Sequence, residues 1–123
     1  MNRFELQQRT KHFALRVIRL CGELPNNTQG NVLGKQLLRC GTSVGANYRA
    51  ACLGKSHADF VNKLKICEEE SDEAIYWIEL IGESGLLRQE LLAHLLQEAR
   101  ELSFIMSASV KTARASDEAS CEK

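Results

Sequence analysis

The most informative segment of the chain is residues 33–51, LGKQLLRCGTSVGANYRAA. Apolar side chains recur in it at spacings of three and four residues, from Leu33 through Leu37 and Val44 to Ala51. That spacing places them on one face of an α-helix. We therefore predict a helix over residues 29–53, with this face turned toward the core of the protein.

Three glycines share another face of this helix: Gly34, Gly41 and Gly45. Each glycine costs a helix about 1 kcal/mol relative to alanine, so their presence needs a physical reason. Either the helix breaks there, or the small residues form a groove that a neighbouring backbone approaches closely. The apolar stripe continues through the glycines without a change of phase, which favours the groove.

A first helix is predicted over residues 3–24. Asn2, followed by Glu5, is typical of an N-cap with its return partner. Apolar residues again recur at spacings of three and four, from Leu6 through Phe13 to Leu24. Pro25, the only proline of the chain, ends this helix.

Two more helices follow, over residues 57–81 and 87–112. Ser56, with Asp59 three residues later, marks the start of the third helix. The segment from 113 to 123 is small and polar, and we predict that it is disordered. The prediction is therefore an all-α domain over residues 1–112, an antiparallel up-down-up-down four-helix bundle.

The third helix has apolar residues on two sides. One side supplies the core, whereas Ile66, Tyr76, Trp77 and Leu80 lie on the other, among glutamates. A helix of an isolated bundle has no reason to bury both sides. We interpret the second side as an interface between subunits.

Charge is divided unequally along the chain. Residues 1–58 carry nine Lys/Arg against two Asp/Glu, and residues 59–123 carry seven against fourteen, so the halves have net charges of +7 and −7. Rows of cations bind phosphates without reading base sequence. The candidate nucleic-acid-binding residues are Arg9, Arg16, Arg19, Lys35, Arg39 and Arg49. The alternative is that these cations are solvated, or pair with the acids of the third helix within the bundle or across subunits.

The sequence contains no recognisable catalytic or metal-binding constellation. None of the three histidines follows a glutamate by three residues, as a di-metal bundle would require, and no nucleophile elbow or complete phosphate loop occurs. The five cysteines show no Cys-x-x-Cys pair and are expected to be reduced thiols, mostly buried. We expect a cytoplasmic, non-enzymatic protein with no catalytic residue, metal or cofactor, and with no association with a membrane.

Several segments together resemble one known family. They are residues 36–40 (QLLRC), 43–48 (SVGANY), 56–60 (SHADF), 69–80 (EESDEAIYWIEL) and 82–86 (GESGL). Their order and spacing, over residues 4–110, resemble the four-helix-bundle proteins encoded in intervening sequences of bacterial 23S ribosomal RNA. Members often have Ile-Ala-Glu-Gly after the asparagine, whereas this chain has Tyr48-Arg49-Ala50-Ala51, which makes its second helix more cationic.

The resemblance implies a left-handed bundle without enzymatic activity that assembles as a homo-oligomeric ring, commonly a pentamer. It also implies kinship with the accessory protein of diversity-generating retroelements, which engages nucleic acid and a reverse transcriptase. Two hypotheses follow. The protein binds nucleic acid, with RNA favoured, through its first two helices, or it is a protein-interaction scaffold whose opposed charges serve assembly alone.

Overall fold

The computed structural model describes the backbone of residues 1–121 and the side chains of residues 1–116. It consists of four α-helices, and the described residues contain no strand. The helices are α1 (Arg3–Gly22), α2 (Thr28–Cys52), α3 (His57–Glu83) and α4 (Gln89–Cys121). The predicted all-α class and the four predicted helices are confirmed.

Side-chain caps begin the first three helices. The Asn2 side chain accepts a hydrogen bond of 2.8 Å from the Glu5 amide, and the Ser56 hydroxyl accepts one of 3.1 Å from the Asp59 amide. Both caps were predicted from the sequence. Asn27 caps α2 in the same way by accepting from the Gly30 amide at 2.7 Å. Each bond satisfies an amide that the helix leaves without a partner.

Neighbouring helices run antiparallel. Three glycines of α2 show this for α1 and α2: Gly34 lies near Leu24, Gly41 near Val17 and Gly45 near Thr10. Residues further along α2 therefore contact residues nearer the start of α1. Helices α2 and α3 pack on each other, as do α3 and α4, whereas α1 and α4 make the least contact. The pairs α1 with α3 and α2 with α4 are diagonal, and their backbones do not approach each other closely.

The core is formed by apolar stripes of all four helices. Among its fully buried side chains are Phe13, Val17, Leu37, Val44, Leu64, Ile78, Leu102 and Met106. Burying a side chain of this kind stabilises the folded state by about 1.5–3 kcal/mol relative to leaving it exposed. These stripes therefore hold the bundle together.

The glycines of α2 form a groove against α1, as the unbroken apolar stripe suggested. A Cβ atom built on Gly41 would lie 2.8 Å from a methyl carbon of Val17. One built on Gly45 would lie 3.3 Å from the backbone of Thr10. Both distances are shorter than ordinary van der Waals contact. The absence of side chains at these positions therefore allows the two helices to approach closely.

The predicted end of the last helix was wrong. We predicted a helix to residue 112 and disorder from 113 to 123, whereas α4 continues to Cys121. Residues 113–121 contain neither glycine nor proline. Ala113 is buried, and its carbonyl oxygen lies 2.9 Å from Nε2 of His57 at the start of α3. Composition alone does not reveal this tertiary contact. Residues 122 and 123 lie outside the described part of the chain.

Candidate nucleic-acid surface

The structure places the six predicted cations in two groups. Arg9 forms ion pairs with two glutamates of α4. Its Nε and Nη2 atoms donate to the two carboxylate oxygens of Glu98, at 2.8 and 2.7 Å. The Nη2 atom also lies 3.5 Å from a carboxylate oxygen of Glu101. The bidentate bond to Glu98 raises the pKa of Arg9, although partial burial opposes the shift. Arg9 therefore links α1 to α4 where those helices have little other contact.

Arg39 is held by α3. Its Nη1 donates to Glu70 at 3.1 Å, and its Nη2 donates to Glu73 at 2.6 Å. The indole nitrogen of Trp77 also donates to Glu73, at 3.3 Å. For Arg39 the structure shows the alternative interpretation, pairing with acids of the third helix. Arg9 is also paired, but with acids of α4, a partner that was not predicted from the sequence. A phosphate would have to displace carboxylates already in place.

The contact with Arg39 changes the pH range in which Glu73 ionises. The hydrogen bond from Arg39 lowers the pKa of Glu73, as does the bond from Trp77, whereas burial opposes the shift. The lowered pKa means that the ionised pair contributes stability above the ordinary glutamate pKa of about 4.3, and that this contribution is lost as the pH falls through the folded-state value.

We expect Arg39→Gln to return the pKa of Glu73 toward about 4.3, because the replacement removes the cation. Carbon-detected NMR titration of the Glu73 carboxyl in both proteins measures this shift. Lys65→Gln is a matched control, since Lys65 pairs with Glu68 instead. An unchanged Glu73 pKa in the Arg39 variant would show that the pair does not form in solution.

The other four predicted cations form no ion pair with a carboxylate among residues 1–116: Arg16, Arg19, Lys35 and Arg49. Arg19, Lys35 and Arg49 are exposed, and Arg16 is half-buried. Arg16 and Arg19 line an open recess of about 440 Å³ at the seam between α1 and α4. The other residues of this recess are Leu20, Glu23, Leu91 and Leu95.

Arg49 lines a polar groove of about 430 Å³ between α1 and α2. Lys11, which we did not include among the candidates, lies in the same groove. The remaining residues that line it are Gln7, Gln8, Ala14, Thr42, Gly45 and Ala46, none of them acidic. The glycine groove was the sequence signal that could have pointed to Lys11, because this part of α1 is the neighbour that packs against it.

The predicted interface residues of α3 also divide into two groups. Tyr76 is 55% exposed and Ile66 is 36% exposed. Trp77 and Leu80 are half-buried, and Trp77 packs partly against the core. The rings of Tyr76 and Trp77 meet edge to face with centroids 5.2 Å apart. Tyr76 and Ile66 are therefore the members most available to a partner.

One cluster on α2 and α3 has the composition of a metal site. Ligand atoms of Cys40, Glu70 and Glu73 lie within 4.8 Å of one another. Arg39 already bonds both carboxylates, however, and burial raises the pKa of the Cys40 thiol to about 12. The carboxylates of this cluster are therefore engaged by Arg39, and a cation would have to displace that guanidinium and the proton of the thiol.

A recess of about 740 Å³ lies where the start of α3 meets the later part of α4. Phe60, Leu64, Phe104 and Ile105 supply most of its apolar wall. The guanidinium of Arg3 stacks over the Phe60 ring, 4.8 Å from its centroid.

In the described part of the chain, no helix is both long and apolar enough to pass through a bilayer.

Comparisons with known proteins agree with this architecture. The family model described as "23S rRNA-intervening sequence protein" matches residues 2–108. A crystal structure of a protein of unknown function from the S23 ribosomal protein family of Bacteroides thetaiotaomicron superposes with a TM-score of 0.83. It is 33% identical, and the alignment covers 90% of this chain and 99% of that one. None of the curated proteins compared with the chain matches it. The chain belongs to the family of 23S rRNA-intervening sequence proteins.

Proposed function

We propose that this protein is a non-enzymatic, cytoplasmic bundle that binds nucleic acid through the cations of α1 and α2. The observation that carries the proposal is the group of cations without carboxylate partners among residues 1–116, Arg16, Arg19, Lys35 and Arg49. Residues 24–58, which include the whole of α2, contain no aspartate or glutamate. A phosphate that approaches α2 therefore meets no carboxylate from that helix.

Neutral overall charge does not oppose this proposal, because the charges are separated in the fold. The paired acids Glu70 and Glu73 are bound to Arg39, and Glu98 is bound to Arg9. Phosphate binding gains free energy from releasing counterions at each unpaired cation. Such binding is strongly salt-dependent and reads backbone shape rather than base sequence.

RNA is the nucleic acid we favour. The description of the family refers to intervening sequences of 23S rRNA, which associates the family with an RNA. The resemblance to the retroelement accessory protein makes a reverse transcriptase a second candidate partner. The neighbouring genes would distinguish the two candidates, because an rRNA insertion and a reverse transcriptase gene are different genomic surroundings.

Reversing the charge of Lys35 and Arg49 together tests the proposal. At about 50 mM salt each phosphate contact contributes about tenfold to affinity, so Lys35→Glu with Arg49→Glu should weaken binding of a structured RNA about 100-fold. Fluorescence anisotropy with labelled RNA measures the change. Lys63→Glu with Lys65→Glu is the matched control, because it makes the same charge change on α3, where both lysines are paired.

Either of two results would reject the nucleic-acid proposal. One is the absence of RNA binding by the unaltered protein at low salt. The other is an equal affinity for the unaltered protein and the Lys35/Arg49 variant.

A second candidate function is that of a self-assembling scaffold, and the exposure of Tyr76 and Ile66 on α3 favours it. The assembly suggested by the resemblance is a ring, commonly of five copies. Five copies of this 13.8 kDa chain would have a mass of about 69 kDa. Light scattering on the purified protein measures this mass directly.

A further inference from the structure

Helix α1 presents apolar side chains to solvent as well as to the core. Phe4, Leu15 and Ile18 are 68%, 42% and 49% exposed, although none of them belongs to the core stripe that contains Phe13 and Val17. Positions 4, 8, 11, 15, 18 and 22 alternate steps of four and three residues, and all six are exposed. We call these six positions the outer stripe of α1. A stripe with this spacing is the seam by which one helix packs on another.

Helix α3 has a corresponding outer stripe at positions 66, 69, 73, 76, 80 and 83. Its apolar members are Ile66, Tyr76 and Leu80, and the other three positions are glutamates. Both stripes extend about 26 Å along their helices. They therefore match in length and in the spacing of their side chains.

The charges of the two stripes are opposite. The outer stripe of α1 carries Lys11, with Arg19 beside it, and contains no acid. In the outer stripe of α3, Glu73 is bound to Arg39, which leaves Glu69 and Glu83 exposed. Cations would thus meet carboxylates if the two stripes were brought together.

The stripes cannot meet within one molecule. Helices α1 and α3 are diagonal in the bundle and their backbones do not approach each other closely, so their outer stripes lie on opposite sides of it. The contact of Arg3 with Phe60 joins the two helices at one end, outside both stripes. The surface complementary to the outer stripe of α1 is therefore available on a second copy.

We propose that the outer stripe of α1 binds the outer stripe of α3 of a second copy. Such an interface is heterologous, because each partner contributes a different surface, and each added copy leaves one stripe of each kind free. The proposal rests on the self-assembly described above as the second candidate function. Its test is separate from that of RNA binding, because the residues altered in the RNA test, Lys35 and Arg49, lie on α2 outside both stripes.

Complementary variants test this arrangement. One variant carries Leu15→Glu and Ile18→Glu, and the other carries Ile66→Glu and Tyr76→Glu. All four positions are exposed, so the bundle should still fold, which circular dichroism checks. The altered stripes are both acidic and repel each other. A double variant with Val32→Glu and Phe104→Glu is the matched control, because these side chains are 52% and 76% exposed but lie outside both stripes.

We expect the unaltered protein and the control to assemble, and each stripe variant alone to be monomeric by light scattering. An equimolar mixture of the two stripe variants should form a heterodimer and nothing larger. Each variant retains one intact stripe, and the two intact stripes are of different kinds.

Three outcomes would overturn the proposal. A monomeric unaltered protein at about 100 μM would reject self-assembly as a whole. If the unaltered protein assembles, a stripe variant that assembles equally well would place the interface elsewhere. A mixture that stays monomeric would show that the contact is not between α1 of one copy and α3 of the next.

Discussion

Replacing Phe13 by alanine should lower the free energy of unfolding by about 3–5 kcal/mol. Phe13 is fully buried in the core stripe of α1. The substitution removes apolar surface from the interior and leaves a cavity that the close-packed neighbours fill only in part. Because small domains are stable by about 5–15 kcal/mol, this loss is a large fraction of the total.

The chain offers a control of identical chemistry. Phe104 is 76% exposed on α4, and Phe104→Ala should change the free energy of unfolding by less than about 0.5 kcal/mol. Urea unfolding followed by circular dichroism measures both variants. Equal losses for the two substitutions would mean that α1 does not bury the face described above.

Replacing Gly41 by leucine should destabilise the bundle by about 3 kcal/mol. A Cβ atom at this position would already lie 2.8 Å and 2.9 Å from the two methyl carbons of Val17. Leucine adds three further carbons, so the bundle accommodates it only if α1 and α2 move apart. The gain in helix propensity over glycine, about 1 kcal/mol, offsets only part of this cost.

Two comparisons distinguish the close contact from a general effect of leucine. Gly22→Leu should cause no comparable loss, because nothing lies within 4 Å of a Cβ atom at Gly22. Combining Gly41→Leu with Val17→Ala should cost less than the sum of the two single changes, since the smaller Val17 replacement makes room. Strict additivity in urea unfolding would argue against the contact between these two residues.

Local patterns were enough to predict most of the fold. Asn2 and Ser56 act within three residues of sequence, so their caps were evident from residue type and spacing alone. The core faces followed from helical periodicity in the same way. The groove at Gly41 and Gly45 was predictable because an unbroken apolar stripe leaves few other reasons for glycine in a helix.

The candidate surface was less predictable, because its state depends on distant residues. Arg9 and Glu98 are 89 positions apart, and Arg39 and Glu73 are 34 apart. Periodicity places each of these residues on a face of its own helix but does not reveal which face it meets. The sequence therefore suggested six equivalent cations, whereas two of them are tied to carboxylates. The same limit explains the error at the end of α4, where the contact between Ala113 and His57 joins distant segments.

The most direct test of the account is the salt dependence of RNA binding, which counts the cations that contact phosphate. Plotted as the logarithm of affinity against the logarithm of salt concentration, each contact contributes about 0.7–0.9 to the slope. We predict that Lys35→Gln with Arg49→Gln lowers the slope by about 1.4–1.8, whereas Arg9→Gln with Arg39→Gln leaves it unchanged as long as the bundle remains folded. Equal slopes for the two double variants would contradict the division between cations free to bind phosphate and cations held within the bundle.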